Sequence, residues 1–157
     1  MAKLRGPDRV KAALEALSLD CEVLTLPGST RTAEEAAEAV GCAVGEIAKS
    51  LVFRAGDRAV VAVMSGDDRI DMARLGQAVG AEVGRADAGF VRAATGFAIG
   101  GVPPLGHAGP VALFMDRGLF RFAWVWAAAG SPFSVFAIEP ARLRDASGAT
   151  VADLRVA

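Results

Sequence analysis

Two parts of this sequence have residue types and spacings that could do chemistry. The first is the stretch 99–107, Ile-Gly-Gly-Val-Pro-Pro-Leu-Gly-His, in which three glycines, two prolines and the sole histidine fall within nine residues. Glycine permits positive φ angles and the close approach of a ligand, whereas each proline fixes φ and removes a backbone donor. The pattern therefore predicts a rigid, sharply turned loop that presents the N–H groups of Gly100, Gly101 and Val102 together. Such a group of donors suits an oxyanion or a phosphate oxygen.

The second part is Lys49, a charged residue between the apolar segments Ile47-Ala48 and Leu51-Val52-Phe53. Lysine is rarely buried without a partner. Its functional interpretation is an ammonium group aimed into a cleft, where it could bind a phosphate or polarise a carbonyl. The alternative is a lysine at the C-terminal end of a helix, where its charge favours the helix dipole. For His107, the alternatives are a general base or substrate contact at neutral pH and an exposed loop histidine.

Metal and nucleotide-triphosphate chemistry find no support in the sequence. The two cysteines, Cys21 and Cys42, are not in a CxxC spacing, and the chain has one histidine. The glycine loop is followed by no Gly-Lys-Ser/Thr and matches no GxGxxG pattern. We therefore expect neither a metal centre nor a nucleotide-triphosphate site.

Composition indicates a single globular domain over residues 1–157, with 53% hydrophobic and 22% charged residues. The net charge of −1 excludes a broadly basic nucleic-acid-wrapping protein, although a local basic patch remains compatible with it. No apolar run is long enough to span a bilayer, and the N-terminus lacks the apolar core of a signal peptide. The sequence thus predicts a cytoplasmic location and no membrane partner.

The periodicity predicts an α+β fold, a single domain with a mixed, largely antiparallel sheet flanked by helices. Helix starts are indicated near Pro7, Thr32, Asp71, Asp87 and Pro140. Apolar runs and turns predict strands over 21–26, 51–54, 59–64, 81–85, 110–115, 122–128 and 133–138. Residues 44–49 are predicted to be helical, which would place Lys49 at a helix-to-strand junction.

Four segments, taken in order, carry a family resemblance. They are Thr-Ala-Glu-Glu-Ala-Ala at 32–37, Ile-Ala-Lys-Ser-Leu-Val-Phe at 47–53, Gly-Gly-Val-Pro-Pro-Leu-Gly-His at 100–107 and Ala-Ala-Ala-Gly at 127–130. In this combination the chain resembles the YbaK/ProX family of aminoacyl-tRNA deacylases, which includes the editing domain inserted in some prolyl-tRNA synthetases. The likeness covers nearly the whole chain.

The resemblance implies hydrolysis of the ester that joins a wrong amino acid to the 3′ end of a tRNA, without metal or organic cofactor. The implied substrate is a small residue such as alanine, serine or cysteine on a non-cognate tRNA, with tRNA-Pro as one candidate. The implied partners are the tRNA acceptor end and an aminoacyl-tRNA synthetase, and the oligomeric state stays open. A non-catalytic aminoacyl- or nucleotide-binding module and a free amino-acid-binding protein are the alternatives.

The site residues follow from the same resemblance. Its implied catalytic residues are Lys49, Gly100 and Gly101, with water or a substrate hydroxyl as nucleophile. The implied substrate contacts are Ser50, Val102, Pro103, Pro104 and His107, and Val102, Pro103 and Leu105 are expected to form the wall of the amino-acid pocket. Relatives often read Gly-Gly-x-Ser-Pro and Ser-Ala-Gly where this chain has Pro103 and Ala128-Ala129-Gly130.

Overall fold

The computed structural model describes residues 6–157, which form five α-helices and eight strands. The helices are α1 (Gly6–Ala16), α2 (Ala33–Val40), α3 (Met72–Val79), α4 (Ala88–Thr95) and α5 (Pro140–Ser147). The strands are β1 (Leu24–Thr25), β2 (Ile47–Ala55), β3 (Arg58–Ser65), β4 (Gly84–Arg85), β5 (Val111–Asp116), β6 (Val125–Ala128), β7 (Ser134–Ile138) and β8 (Thr150–Ala152).

All of these strands belong to one mixed sheet. Its order is β1-β7-β6-β2-β3-β5-β8, and β4 pairs with β2 beside this path. The pairs β1–β7, β2–β3, β2–β4 and β6–β7 are antiparallel, and β2–β6, β3–β5 and β5–β8 are parallel. The predicted α+β class with a mixed, largely antiparallel sheet is thereby confirmed.

Strand β3 lies at the centre of the hydrophobic core. Because successive side chains point to opposite faces of a sheet, Val61 and Val63 pack into one large cluster with α1, α4 and the loop after α4. Val60 and Met64 face the other side, where they pack against Leu75 of α3. The continuous apolar run at 59–64 is therefore that of a strand covered on both faces.

The helices begin and end where local sequence predicts. The Thr32 hydroxyl accepts the Glu35 N–H at 3.1 Å and caps α2. Asp71 and Asp87 cap α3 and α4 in the same way. Each of α2, α3, α4 and α5 ends at a glycine in the left-handed conformation.

The prediction for residues 44–49 is wrong in part. Only residues 44–46 are helical, as one 3₁₀ turn, and β2 begins at Ile47. The Ile47 carbonyl accepts the Gly66 N–H at 2.7 Å, so tertiary pairing extends the β2–β3 ladder past the predicted helix end. Lys49 is consequently the third residue of a strand.

A gap in the sheet opens beside β2. On the edge away from β3, β6 pairs with β2 only at Ile47 and Ala48, and β4 pairs only at Phe53 and Arg54. Between these two contacts, residues 49–52 have no strand partner on that edge among residues 6–157. The gap is placed directly beside Lys49.

Candidate functional site

A cavity of about 250 Å³ lies at this gap. Its wall comes from the segment before α2, from β2, from the loop after α4 and from β6. The lining residues are 30–33, 36, 47–51, 99, 100, 102, 126–128 and 135. Successive strand residues face opposite sides of a sheet, so a cavity lined by both Lys49 and Ser50 reaches around the open edge of β2.

Lys49 is half-buried in this cavity. Its Nζ donates to the Gly66 carbonyl oxygen at 3.5 Å, a long hydrogen bond that leaves two ammonium protons for other acceptors. Among residues 6–157 no ion pair involves Lys49. Lys49 therefore carries a positive charge that no carboxylate of residues 6–157 neutralises, at the position that the sequence analysis selected.

The open edge of β2 adds backbone donors and acceptors. In an antiparallel ladder, alternate residues turn their N–H and C=O groups to opposite edges. Because Ile47 bonds to β3 through Gly66, the N–H and C=O groups of Ser50 and Val52 are directed into the gap. The Ser50 Oγ is also buried without a hydrogen-bond partner.

The loop after α4 is sharply turned, as predicted, and it lies beside this edge. Gly100 adopts φ +93°, a conformation that favours glycine. The Gly101 carbonyl accepts the Gly130 N–H at 3.0 Å, which ties the loop to the β6–β7 turn. A Cβ at Gly101 would lie 2.9 to 3.0 Å from backbone atoms of Ser131.

The structure corrects the expectation for Gly101 as an oxyanion donor. Its N–H donates to the Ala98 carbonyl at 3.0 Å and is occupied within the loop. Gly100 and Val102 both line the cavity, and among residues 6–157 their N–H groups donate no hydrogen bond. Two of the three predicted donors therefore remain available.

The rest of the predicted loop contacts lie outside the cavity wall. Pro103 and Pro104 are buried, and neither lines the cavity. His107 donates from Nε2 to the Pro103 carbonyl at 2.8 Å. Burial lowers the pKa of His107 below its usual value, so the imidazole is neutral at pH 7. In this geometry the His107 side chain stabilises the loop after α4 through its hydrogen bond to the loop backbone.

Of the three residues predicted to form the wall of the amino-acid pocket, Val102 lines the cavity, whereas Pro103 and Leu105 do not. Leu105 packs in the large core cluster. The apolar part of the wall combines alanines of α2, β2 and β6 with larger side chains, which are Ile47, Leu51, Ile99, Val102, Trp126 and Val135. Alanine in a helical or strand pattern is an ordinary core residue, so no sequence signal identifies it as a cavity wall.

Sequence reasoning also missed Thr30 and Arg31. Thr30 is 5% exposed, and its Oγ1 is buried without a hydrogen-bond partner. Arg31 lies over Gly100, where an added Cβ would come within 2.6 Å of the Arg31 Cγ. Ser-Thr-Arg-Thr before a helix is typical of a solvated turn, and only the fold places it against the loop after α4.

The cavity is electropositive although the chain is not. Lys49 and Arg31 are the charged residues that line it among residues 6–157, and no carboxylate does. The chain as a whole carries a net charge of −1. A ligand that is anionic, or that develops negative charge on reaction, is favoured here.

A second cavity of about 250 Å³ adjoins the first along β2. The two share the wall formed by Ser50, Leu51, Ile99, Gly100 and Val102. The two cavities therefore lie side by side along the open edge of β2, and together they are called the cleft below.

The geometry of residues 6–157 gives no support to metal or thiolate chemistry. No group of three or more His, Cys, Asp or Glu side chains is arranged to hold a metal ion. Burial raises the pKa of both cysteine thiols, which disfavours the nucleophilic thiolate.

No helix among residues 6–157 has the length and apolarity needed to cross a membrane.

Comparison with known proteins gives concordant matches. The family model described as "Aminoacyl-tRNA editing domain" matches residues 28–146. The uncharacterized protein YwhH of Bacillus subtilis (strain 168) is 36% identical over 127 residues, which cover 80% of this chain and 81% of YwhH.

Solved structures agree over nearly the full length. A candidate trans-editing enzyme for prolyl tRNA synthetase is 43% identical, with a TM-score of 0.92 and coverage of 99% of this chain and 100% of that one. The hypothetical protein APE2540 is 30% identical, with a TM-score of 0.88 and coverage of 94% and 99%.

Proposed function

The chain belongs to the family of aminoacyl-tRNA editing domains, and we propose that it acts in trans as a hydrolase that releases a small, wrongly attached amino acid from the 3′ end of a tRNA. One observation carries the proposal. Three residues line the same cavity: Lys49, which forms no ion pair within residues 6–157, and Gly100 and Val102, whose N–H groups donate no hydrogen bond in that range. Among residues 6–157 no carboxylate lines this cavity to oppose negative charge.

An aminoacyl ester is already activated, so it needs chiefly positioning and stabilisation of the developing oxyanion. The ester carbonyl oxygen accepts a hydrogen bond from the Lys49 ammonium or from the N–H groups of Gly100 and Val102. Water attacks the carbonyl carbon, the bond to the ribose oxygen then breaks, and that oxygen takes up the proton that the water loses, so that the free amino acid and the tRNA leave. Where the neighbouring ribose hydroxyl attacks first, the acyl group moves to that oxygen, and water then cleaves the new ester in the same way. Lys49 and the loop donors stabilise the charge on the carbonyl oxygen between attack and bond breakage.

The cavity wall supports a small amino acid. Its volume is about 250 Å³, and its apolar lining combines alanines with larger side chains such as Ile99 and Trp126, while the Ser50 carbonyl and hydroxyl can accept from the α-ammonium group. An apolar wall discriminates by only about 1–3 kcal/mol per methylene. We therefore propose alanine, serine and cysteine as a substrate group, with the tRNA, including tRNA-Pro, as the second determinant and a synthetase as the functional partner.

The test is a panel of tRNAs mischarged with alanine, serine or cysteine, followed by measurement of the amino acid released. We expect release from at least one non-cognate pair at a rate well above spontaneous hydrolysis. The same panel is applied to Lys49→Ala, which is expected to lose this release. Lys11→Ala is its matched control, because Lys11 is an exposed lysine on α1. Binding of mischarged tRNA without any release would replace the hydrolase by a non-catalytic binding module. Binding of the free amino acid alone would indicate an amino-acid-binding protein.

A further inference from the structure

Arg31 stands at the electropositive cavity without a counter-ion among residues 6–157. Of the thirteen arginines in that range, six pair with aspartates and seven do not. Among these seven, Arg31 is the one that lines the first cavity. The aliphatic stem of Arg31 packs on Gly100, which has no Cβ to displace it. Because Gly100 has no Cβ, the exposed Arg31 side chain can lie against the loop after α4.

The backbone beneath Arg31 is fixed from both sides. The Arg31 N–H donates to the Ser29 hydroxyl at 3.2 Å. The Thr30 N–H donates to the Pro132 carbonyl at 2.6 Å, and Thr32 caps α2. A fixed backbone reduces the ordering cost of holding a ligand.

Thr30 supplies an independent sign of a ligand. Its side chain is 95% buried, lines the cavity, and has no hydrogen-bond partner for its hydroxyl. A buried polar group without a partner is costly, so native structures rarely retain one without a reason. A ligand acceptor at this position would satisfy the hydroxyl.

We propose that Arg31 and Thr30 bind a phosphate group of the nucleic-acid end that carries the amino acid, an inference that rests on the proposed function. The planar guanidinium can donate two parallel hydrogen bonds to phosphate oxygens, and the hydroxyl donates a third. Lys49 is a point charge set deeper in the strand and serves the reacting ester. Arg31 is therefore a binding residue that positions the ester by its nearest phosphate.

The experiment compares two small substrates that differ only in that phosphate. They are the 3′-alanyl ester of adenosine and the 3′-alanyl ester of adenosine 5′-monophosphate. The wild-type protein is expected to hydrolyse the phosphorylated ester with a kcat/KM about tenfold higher or more, through a lower KM. Arg31→Gln is expected to remove this preference, so that the two esters are hydrolysed with similar kcat/KM.

Further variants separate binding from folding. Arg31→Lys is expected to keep part of the preference, since it retains the charge and loses the planar fork. Thr30→Val removes the hydroxyl at nearly constant volume and is expected to reduce the preference several-fold. Arg58→Gln is the control, because Arg58 is exposed at the β2–β3 turn and lines neither cavity of the cleft.

Two results would overturn the inference and leave the proposed function standing. One is equal hydrolysis of both esters by the wild-type protein. The other is an equal loss on both esters in Arg31→Gln, which would mean that Arg31 only supports the loop. If the wild-type protein hydrolyses neither ester and no mischarged tRNA, the proposed function itself fails.

Discussion

Replacing Lys49 tests the mechanism most directly. Lys49→Met removes the ammonium and keeps an unbranched stem of similar length. The energetic effect depends on where the charge sits. Two unit charges about 4 Å apart interact by about 1 kcal/mol in bulk water and by about 4 kcal/mol at the effective dielectric of a protein surface. Lys49 is half-buried in a cleft, so about 2–4 kcal/mol of transition-state stabilisation is at stake.

This range corresponds to a loss of about 30- to 1,000-fold in kcat/KM for release of the amino acid from mischarged tRNA. Folding should be nearly unaffected. The hydrogen bond to the Gly66 carbonyl is 3.5 Å long, and a weak, partly exposed hydrogen bond contributes at most about 1 kcal/mol. Single-turnover deacylation assays and thermal melts of Lys49→Met and Lys11→Met measure the two quantities side by side. A folded Lys49→Met protein that clears mischarged tRNA at the wild-type rate would refute the role of the ammonium.

Three further outcomes are expected. Gly101→Ala should lower stability by about 1–3 kcal/mol, visible as a reduced Tm, because its Cβ would press on the Ser131 backbone; an unchanged Tm would contradict this contact. Because burial lowers the pKa of His107, its stabilisation is complete above the unfolded pKa of about 6.5 and is lost as the pH falls through the lower folded value. Urea unfolding between about pH 7.5 and pH 5 should therefore show a steeper acid loss in wild type than in His107→Gln. Thr32→Ala should cost about 0.5–2 kcal/mol by uncapping α2, measured in the same unfolding assay.

Local patterns predicted the parts of this fold that are decided locally. The capping pattern at Thr32 and the closing glycines give the bounds of the helices, since caps and left-handed glycines act within a few residues. The buried run at 59–64 predicted the central strand. By contrast, residues 47–49 are drawn into β2 by pairing with β3, a contact between distant parts of the chain that no local pattern contains.

The candidate site also has parts that local sequence predicts and parts that only the fold determines. Lys49 and the turned loop were found from the sequence because a lysine among apolar residues and a glycine-proline cluster are locally unusual. The gap between β6 and β4 was not predicted from the sequence, because it depends on where these two strands stop pairing with β2.

The two departures from the family pattern differ in consequence once they are placed in the fold. Pro103, which replaces a serine of relatives, lies outside both cavities of the cleft, so this change removes no hydroxyl from the wall. Ala128 lines the first cavity, and there the change does make the wall less polar. The hydroxyls of Thr30 and Ser50 remain, buried and unpartnered, on other sides of the same space. Because unsatisfied buried hydroxyls discriminate more strongly than apolar walls, selectivity for the amino acid should depend more on Ser50 than on the serine positions that this chain lacks, while the Thr30 hydroxyl is left for the phosphate.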